Sequence, residues 1–133
     1  MSRVAIAIDF DGVIHQYSRG WADGTAYDDP VPGALKSIRD LLPFWNIFIL
    51  STREPHDIEI WLKEHNAPFP CKVIVDADVP DKRWTVRGVV GITDRKLVSR
   101  YFIDDRAIVF DKNSPREWDR ILNVLKVGSG RGP

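Results

Sequence analysis

Five short apolar segments constrain the fold of this chain more than any other feature of its sequence. They cover residues 4–8, 47–50, 72–75, 101–103 and, less clearly, 107–110. Four of them end in polar or acidic residues, and their apolar character does not alternate with polar positions. Uninterrupted runs of this kind are typical of strands that are covered on both faces, as in a parallel sheet. We therefore predict a buried sheet of five strands.

Three amphipathic patterns separate these segments and predict helices. The first lies between Gly33 and Pro43, with apolar residues at the 3.6-residue helical period. The second begins at Pro55, which suits a first helical position, and ends near Asn66. The third begins at a capping box over residues 114–117. Strands that alternate with helices predict an α/β domain with a mainly parallel sheet. The stretch 77–100 fits no single period.

Length and composition limit the remaining possibilities. A chain of 133 residues with 44% apolar residues is sufficient for one domain with one core, which we expect over residues 1–127, followed by a flexible tail at 128–133. Nineteen basic residues balance nineteen acidic ones, so the net charge indicates no polyanionic partner. The single Cys71, together with the absence of a secretion-type leader or a membrane-length apolar run, predicts a cytoplasmic protein.

Paired carboxylates follow the first predicted strand. Residues two apart on an extended chain point to the same side, so Asp9 and Asp11 are expected to enter one site while Phe10 faces the core. Their mutual repulsion is relieved by a divalent cation such as Mg2+ or by a proton on one carboxyl group. An isolated pair of this kind is also compatible with a solvated strand end. Gly12 allows the chain to turn sharply after the pair.

Further polar residues follow the other predicted strands. Ser51 ends the second strand, Asp104 and Asp105 end the fourth, and Lys96 precedes them. Each residue alone is compatible with a structural role, as a helix cap, a turn residue or a solvated charge. Because the carboxyl ends of parallel strands meet at one edge of the sheet, we expect the combination to form a single site there.

With these motifs the chain resembles the haloacid dehalogenase-like superfamily of phosphohydrolases. The four motifs of that superfamily correspond to residues 9–14, residues 47–51, Lys96 and residues 103–105. Superfamily members that act as dehalogenases lack the second aspartate of the first motif. The presence of Asp11 therefore implies phosphoryl transfer, and the resemblance as a whole implies a phosphatase.

The resemblance assigns roles to individual residues. It implies that Asp9 attacks phosphorus and forms an aspartyl-phosphate, while Asp11 acts first as general acid and then as general base. Ser51 and Lys96 are implied to hold the transferring phosphoryl oxygens. Lys82 is the alternative to Lys96, which we prefer because it is closer to Asp104 in the sequence.

The resemblance also implies a Mg2+ cofactor and contacts to the substrate. The implied metal ligands are the carboxylates of Asp9 and Asp104, the backbone carbonyl of Asp11 and, directly or through water, Asp105. The implied substrate contacts come from Gly12, Thr52, Arg53 and Arg19. The guanidinium groups of the two arginines match the geometry of phosphate oxygens. The three histidines, His15, His56 and His65, show no metal-binding spacing and are interpreted as structural.

The expected architecture is a single Rossmann-like domain of three layers with strand order 3-2-1-4-5. The gaps at residues 13–45 and 54–95 are too short for an inserted cap domain, so the resemblance is to capless members of the superfamily. Residues 17–21, 51–54 and 103–106 are similar to polynucleotide kinase 3'-phosphatase domains. The expected substrate is therefore a phosphorylated small molecule or a nucleic-acid end. A homodimer that shields the open site is compatible with this interpretation.

Two alternatives use similar residues. A response-regulator receiver domain also combines acidic residues, a hydroxyl and a lysine on a parallel sheet, but its acidic pair comes first and its lysine last, unlike the order in this chain. A descendant of the phosphatase fold that binds phosphate or metal without catalysis is the second alternative. The presence of every expected catalytic residue type favours the enzyme.

Overall fold

The computed structural model describes residues 4–128, which form an α/β fold around one five-stranded, all-parallel sheet. In chain order, the elements are β1 Ala5–Asp9, α1 Ala34–Leu41, β2 Asn46–Leu50, α2 Pro55–Glu64, β3 Cys71–Val73, β4 Val90–Thr93, β5 Tyr101–Ile103 and α3 Glu117–Gly128. The strands are arranged in the order β3-β4-β2-β1-β5. The predicted Rossmann-like fold class with five parallel strands is confirmed.

The detailed strand order differs from the predicted 3-2-1-4-5. A strand that the sequence did not reveal, β4, lies between β3 and β2, and residues 107–110, predicted as the fifth strand, form no strand. The pattern around β4 is broken by Gly91, where an added Cβ would collide with the side chains of Ile74 and Trp84. Glycine at this position reflects the close approach of neighbouring side chains, and it is compatible with a buried strand.

The two faces of the sheet are covered differently. One face packs against both α1 and α2, with Ile38, Ile58 and Trp61 among the buried helix residues. The other face is covered by the irregular residues 74–89 before β4 and by Leu97 after it, with Trp84 and Leu97 among the buried residues of a second cluster. The predicted three layers are therefore two helices, the sheet and a largely irregular layer.

The predicted helix starts are confirmed for α2 and shifted for α3. Pro55 occupies the first turn of α2, and Glu54 precedes it and accepts a hydrogen bond from the His56 N–H. The capping box predicted at residues 114–117 does not form, since α3 begins at Glu117. The Glu117 carboxylate instead accepts a hydrogen bond from the Asp111 N–H at 2.7 Å, three residues upstream of the expected cap.

The C-terminal segment, defined here as residues 101–128, is much less covered than the rest. All three residues of β5 are exposed, and this strand pairs with β1 alone among the described strands. Within residues 4–128, α3 makes no extensive contact with a strand or another helix. Apart from Gly128, at the end of α3, the predicted tail lies outside the described residues. None of the helices in that range is long and apolar enough to cross a membrane.

The topology fixes where a ligand would bind. From β1 the chain moves to one side of the sheet for β2, β3 and β4, and it then crosses over to place β5 on the other side of β1. In open parallel sheets, ligands bind beyond the carboxyl ends of the strands at such a point of reversal. The predicted adjacency of residues 4–8 and 101–103 at this point is confirmed by the pairing of Ile8 with Ile103.

Candidate active site

Three carboxylates meet at the carboxyl ends of β1 and β5. Each of Asp9, Asp104 and Asp105 offers an oxygen atom, and these atoms all lie within 4.8 Å of one another. Asp9 is half-buried at the end of β1, whereas the other two are exposed just after β5. The Arg106 N–H donates a hydrogen bond to Asp104 Oδ1 at 2.7 Å and orients that side chain. Three carboxylate oxygens at this spacing match the ligands that hard divalent cations prefer.

The cluster changes the ionisation of Asp9. Burial raises the pKa of the Asp9 carboxyl group to about 6, and a hydrogen bond from the Phe10 N–H acts against this rise. Repulsion from Asp104, Asp105 and Asp11 contributes to the same rise. A carboxylate in such a position gains most from a nearby cation, because the cation offsets both the loss of hydration and the repulsion.

Gly12 is required by the close packing of Asp105. The backbone φ of Gly12 is +81°, a conformation that L side chains rarely adopt, and an added Cβ would collide with the Asp105 carboxylate. The residue therefore lets the turn after β1 pass directly beneath the acidic cluster. Gly12 was expected to contact substrate, and here it makes room for an acidic side chain of the predicted metal site.

Asp11 points into a separate hydrogen-bonding network. The Arg53 Nε–H donates to both Asp11 oxygens, at 3.0 and 2.9 Å, and His15 Nδ1 lies 2.9 Å from Oδ1. The Asp28 N–H donates to His15 Nε2 at 2.9 Å, so the tautomer that satisfies both contacts carries its proton on Nδ1 and donates it to Asp11. The Asp11 side chain is therefore held in place and is not part of the three-carboxylate cluster.

Arg53 is buried beneath the loop at residues 17–25. Only 4% of its surface is exposed, and the guanidinium Nη1 donates to the Gly24 carbonyl at 2.6 Å. The guanidinium carbon lies 4.5 Å from the centre of the Trp21 ring and 5.7 Å from that of Tyr17. These contacts hold the guanidinium against Asp11, while its Nη2 is buried with no hydrogen-bond partner among the described residues, and the predicted contact of Arg53 with substrate stays a prediction.

A cavity of about 390 Å³ opens beside the acidic cluster. Ser51, Thr52 and Lys96, all predicted site residues, line it together with Asp9, Asp11 and Asp104. Ser51 is buried at the end of β2, where its Oγ accepts a hydrogen bond from the Arg53 N–H at 3.2 Å. The cavity therefore combines the carboxylates with a hydroxyl group and an ammonium group.

An alternative residue, Lys82, and a predicted substrate contact, Arg19, lie outside this cavity. Lys82, the alternative to Lys96, is not among the residues that line this cavity. Arg19 is also absent from its lining, and its guanidinium stacks on the Tyr27 ring, 4.4 Å from the ring centre. Of the two candidate lysines, Lys96 is therefore the one that lines the cavity, and Arg19 lies outside the lining.

Several residues in and around the cavity were not identified as site residues from the sequence. Arg106 follows the acidic pair, and Asp94 follows β4 at the same edge of the sheet. Recognising β4 would have predicted the position of Asp94. His15, interpreted as structural, is fully buried and bonded to Asp11, and the four-residue spacing between them was the available signal. Nothing in the local sequence pattern relates Arg53 to Asp11, 42 residues away.

Three comparisons with known proteins give no match. No protein-family model, no curated protein and no solved structure matches this chain. The geometry of the site, together with the motif resemblance, is therefore the basis for any assignment of function.

Proposed function

We propose that this protein is a Mg2+-dependent phosphomonoester hydrolase that acts through an aspartyl-phosphate on Asp9. The observation that carries the proposal is the meeting of Asp9, Asp104 and Asp105 at the reversal point of the sheet, with Ser51 and Lys96 in the adjoining cavity. A cation site, a nucleophile and donors for phosphoryl oxygens are the parts that phosphoryl transfer requires.

The proposed nucleophile is the carboxylate of Asp9. One of its oxygens, Oδ1, accepts the Phe10 N–H, which fixes the side chain at the end of β1. The other oxygen forms the bond to phosphorus while the bond from phosphorus to the leaving oxygen breaks. Water then attacks the phosphorus of the aspartyl-phosphate, which releases inorganic phosphate and restores the carboxylate.

Asp11 is the proposed general acid and base. It delivers a proton to the leaving oxygen in the first step and takes a proton from the attacking water in the second. The donors from Arg53 and His15 stabilise the carboxylate that the first step leaves behind, and they keep it oriented for the second.

Ser51 and Lys96 are proposed to hold the phosphoryl oxygens, where fixed donors stabilise charge in the transition state.

The acidic cluster fits a magnesium ion. Asp9, Asp104 and Asp105 would hold it, with the Asp11 backbone carbonyl as the fourth proposed ligand. When bound, the ion supplies positive charge that lets an anionic carboxylate and an anionic phosphate come together. The raised pKa of Asp9 supports this assignment, because burial and repulsion leave that carboxylate poorly stabilised without a cation.

The lining of the cavity supports a substrate with a planar leaving group. Tyr17, Trp21 and Phe102 contribute aromatic side chains, and Arg106 adds a guanidinium. Aromatic faces stack on nucleobases irrespective of sequence, so nucleotides and nucleic-acid ends that carry a phosphate are the proposed substrate class. A cytoplasmic location, first suggested by the single cysteine, belongs to the same proposal.

The test is Mg2+-dependent release of phosphate from p-nitrophenyl phosphate by the full chain, followed by mononucleotides, phosphosugars and 3'-phosphorylated oligonucleotides. Substituting Asp9→Asn should lower the rate by about a thousandfold or more, since removal of a covalent nucleophile typically has effects of this size. The matched control is Asp81→Asn, at an exposed loop residue, which should retain full activity. Equal activity in the Asp9 variant would reject the mechanism.

The same assay separates the two alternatives. A protein that binds Mg2+ and phosphate but releases none from any substrate would be the non-catalytic descendant. A receiver-like phosphoacceptor would take a phosphoryl group from a small acyl-phosphate donor onto Asp9 and would not turn over a phosphomonoester.

A further inference from the structure

Exposed apolar side chains are concentrated in the C-terminal segment. Within residues 4–128, eleven of the eighteen large apolar side chains that are exposed lie in this segment, which is less than a quarter of that range. They are Tyr101, Phe102, Ile103, Ile108, Val109, Phe110, Trp118, Leu122, Val124, Leu125 and Val127. Scattered exposed apolar residues are normal, but a group of this size on one segment marks a surface that contacts something else.

The helix α3 presents a continuous apolar stripe. Trp118, Leu122 and Leu125 recur at the spacing that places side chains on one face of a helix, and they are 67%, 49% and 55% exposed. The flank of the helix next to the stripe is held by its own chain. Arg120 donates to the Val109 carbonyl, and Ile121 is buried. These local contacts fix the orientation of α3 and leave the stripe open.

The strand β5 is open as well. Its pairing with β1 uses one edge, and the other edge pairs with no strand of the described chain. Tyr101 and Ile103 lie on one face of the strand and Phe102 on the other, and all three are exposed. An edge strand without cover is a template for association with another chain.

We infer that this surface, formed by β5, residues 107–110 and the α3 stripe, is the interface through which two copies of the chain form a dimer. The nine exposed side chains of this surface together expose roughly 700 Å² of apolar surface, taking about 100 Å² for an aliphatic and 200 Å² for an aromatic side chain. Stable interfaces of standard size bury about 800 Å² on each partner. The apolar part of the surface therefore approaches the area that each partner of a stable dimer buries.

A second copy fits this surface better than the chain's own helix does. Folding α3 back onto its own β5 would cover one face of that strand and leave the other face and the free edge exposed. A two-fold dimer brings the same surface of each copy together, so a strand edge and a helix stripe on one segment can be covered at once. The balanced charge of the chain produces no net repulsion between copies.

The dimer would also enclose one side of the cavity. Phe102, Ile103 and Arg106 line it, and they belong to the segment that forms the interface. The inference itself rests on exposed surface and helix geometry alone, so it does not depend on the proposed phosphatase activity.

The test is the molar mass of the full chain in solution, measured by sedimentation or light scattering from low to high micromolar concentration. The wild type is expected at twice the chain mass of 15.2 kDa. The variant Leu125→Glu places a charge in the stripe and should shift the mass to that of the monomer. Ile60→Glu on α2 is the matched control, since Ile60 is 53% exposed, and it should remain a dimer.

A second variant guards against failure of α3 to fold. Val109→Glu alters the same surface outside the helix and should also give a monomer, with the circular dichroism of the wild type. A wild type that is monomeric at every concentration would overturn the inference. A monomer whose α3 amides are protected from hydrogen exchange would show that the helix instead folds back on its own sheet. Persistence of the dimer in both Leu125→Glu and Val109→Glu would overturn the assignment of the surface.

Discussion

The body of the molecule, residues 4–100, and its C-terminal segment use the same kinds of elements with different degrees of cover. The strands β1 and β2 are buried on both faces, whereas β5, the neighbour of β1, is exposed throughout. Leu62 on α2 is fully buried, whereas Leu125 on α3 is 55% exposed. The difference teaches that an amphipathic pattern predicts a helix or a strand but does not determine whether the rest of the chain covers it.

The largest expected contrast comes from matched leucine substitutions. Leu62→Ala should lower the free energy of unfolding by about 2–5 kcal/mol, because it leaves a cavity in the core. Leu125→Ala should change it by at most about 0.5 kcal/mol in dilute solution, where the stripe is exposed. Denaturant unfolding of both variants at low protein concentration measures the difference. Equal losses would show that α3 packs on its own body.

A second contrast tests how firmly the body holds the site. Arg53→Met should lower the free energy of unfolding by roughly 2–3 kcal/mol, since it removes the donor to a partly buried Asp11. The proposed phosphatase activity should fall at least about tenfold, because Asp11 loses its orientation. Arg19→Met is the control, since Arg19 is exposed and its guanidinium stacks on the Tyr27 ring. Its expected cost is about 1 kcal/mol or less.

A third prediction concerns the point where the two regions meet. Gly12→Ala should destabilise the fold by about 1–2 kcal/mol through its positive φ and should also displace Asp105. Gly88→Ala is the matched control, because Gly88 has a φ of +75° and no neighbour within 4 Å of an added Cβ. Both variants should lose backbone stability, but only Gly12→Ala should bind Mg2+ more weakly. Equal Mg2+ affinity in the two variants would contradict the close packing of Asp105.

The smallest expected effect is a pH dependence confined to the C-terminal segment. Hydrogen bonds from Arg120, and then from the Asp111 N–H, lower the pKa of Glu117 to about 2. A lowered pKa means that the stabilising contribution is present above about pH 4.5, the ordinary value, and is lost as the pH falls through about 2. Amide exchange at the start of α3 should therefore accelerate over that range. Glu117→Gln should weaken this dependence, and an unchanged profile would exclude the carboxylate as its cause.

Much of the fold could be predicted because buried strands and helices have recognisable apolar patterns in the sequence. The runs ending at Asp9 and Ser51 and the helix beginning at Pro55 are local patterns, and the structure has an element at each. The strand β4 was missed because its glycine reflects contacts with the side chains of Ile74 and Trp84, which a local apolar pattern does not reveal. Residues 107–110 are apolar enough for a strand, but they form none and carry part of the exposed surface.

The candidate site also has a part that local sequence patterns predict and a part that they do not. Asp9, Asp104 and Asp105 were predicted to meet because each follows a strand, and topology brings such strand ends together. The anchoring of Asp11 by Arg53 could not be predicted, since it depends on how the loop at residues 17–25 folds over the guanidinium. Sequence patterns therefore indicate which residues lie at an edge of the sheet, and three-dimensional packing decides which of them contact one another.

Binding of Mg2+, measured by calorimetric titration of the full chain, tests the central claim most directly. The account predicts one site per chain in the wild type and in Asp81→Asn. It predicts at least about tenfold weaker binding in both Asp9→Asn, which alters the body, and Asp104→Asn, which alters the C-terminal segment. Unchanged Mg2+ binding in either of these two variants would contradict a metal site shared by β1 and β5.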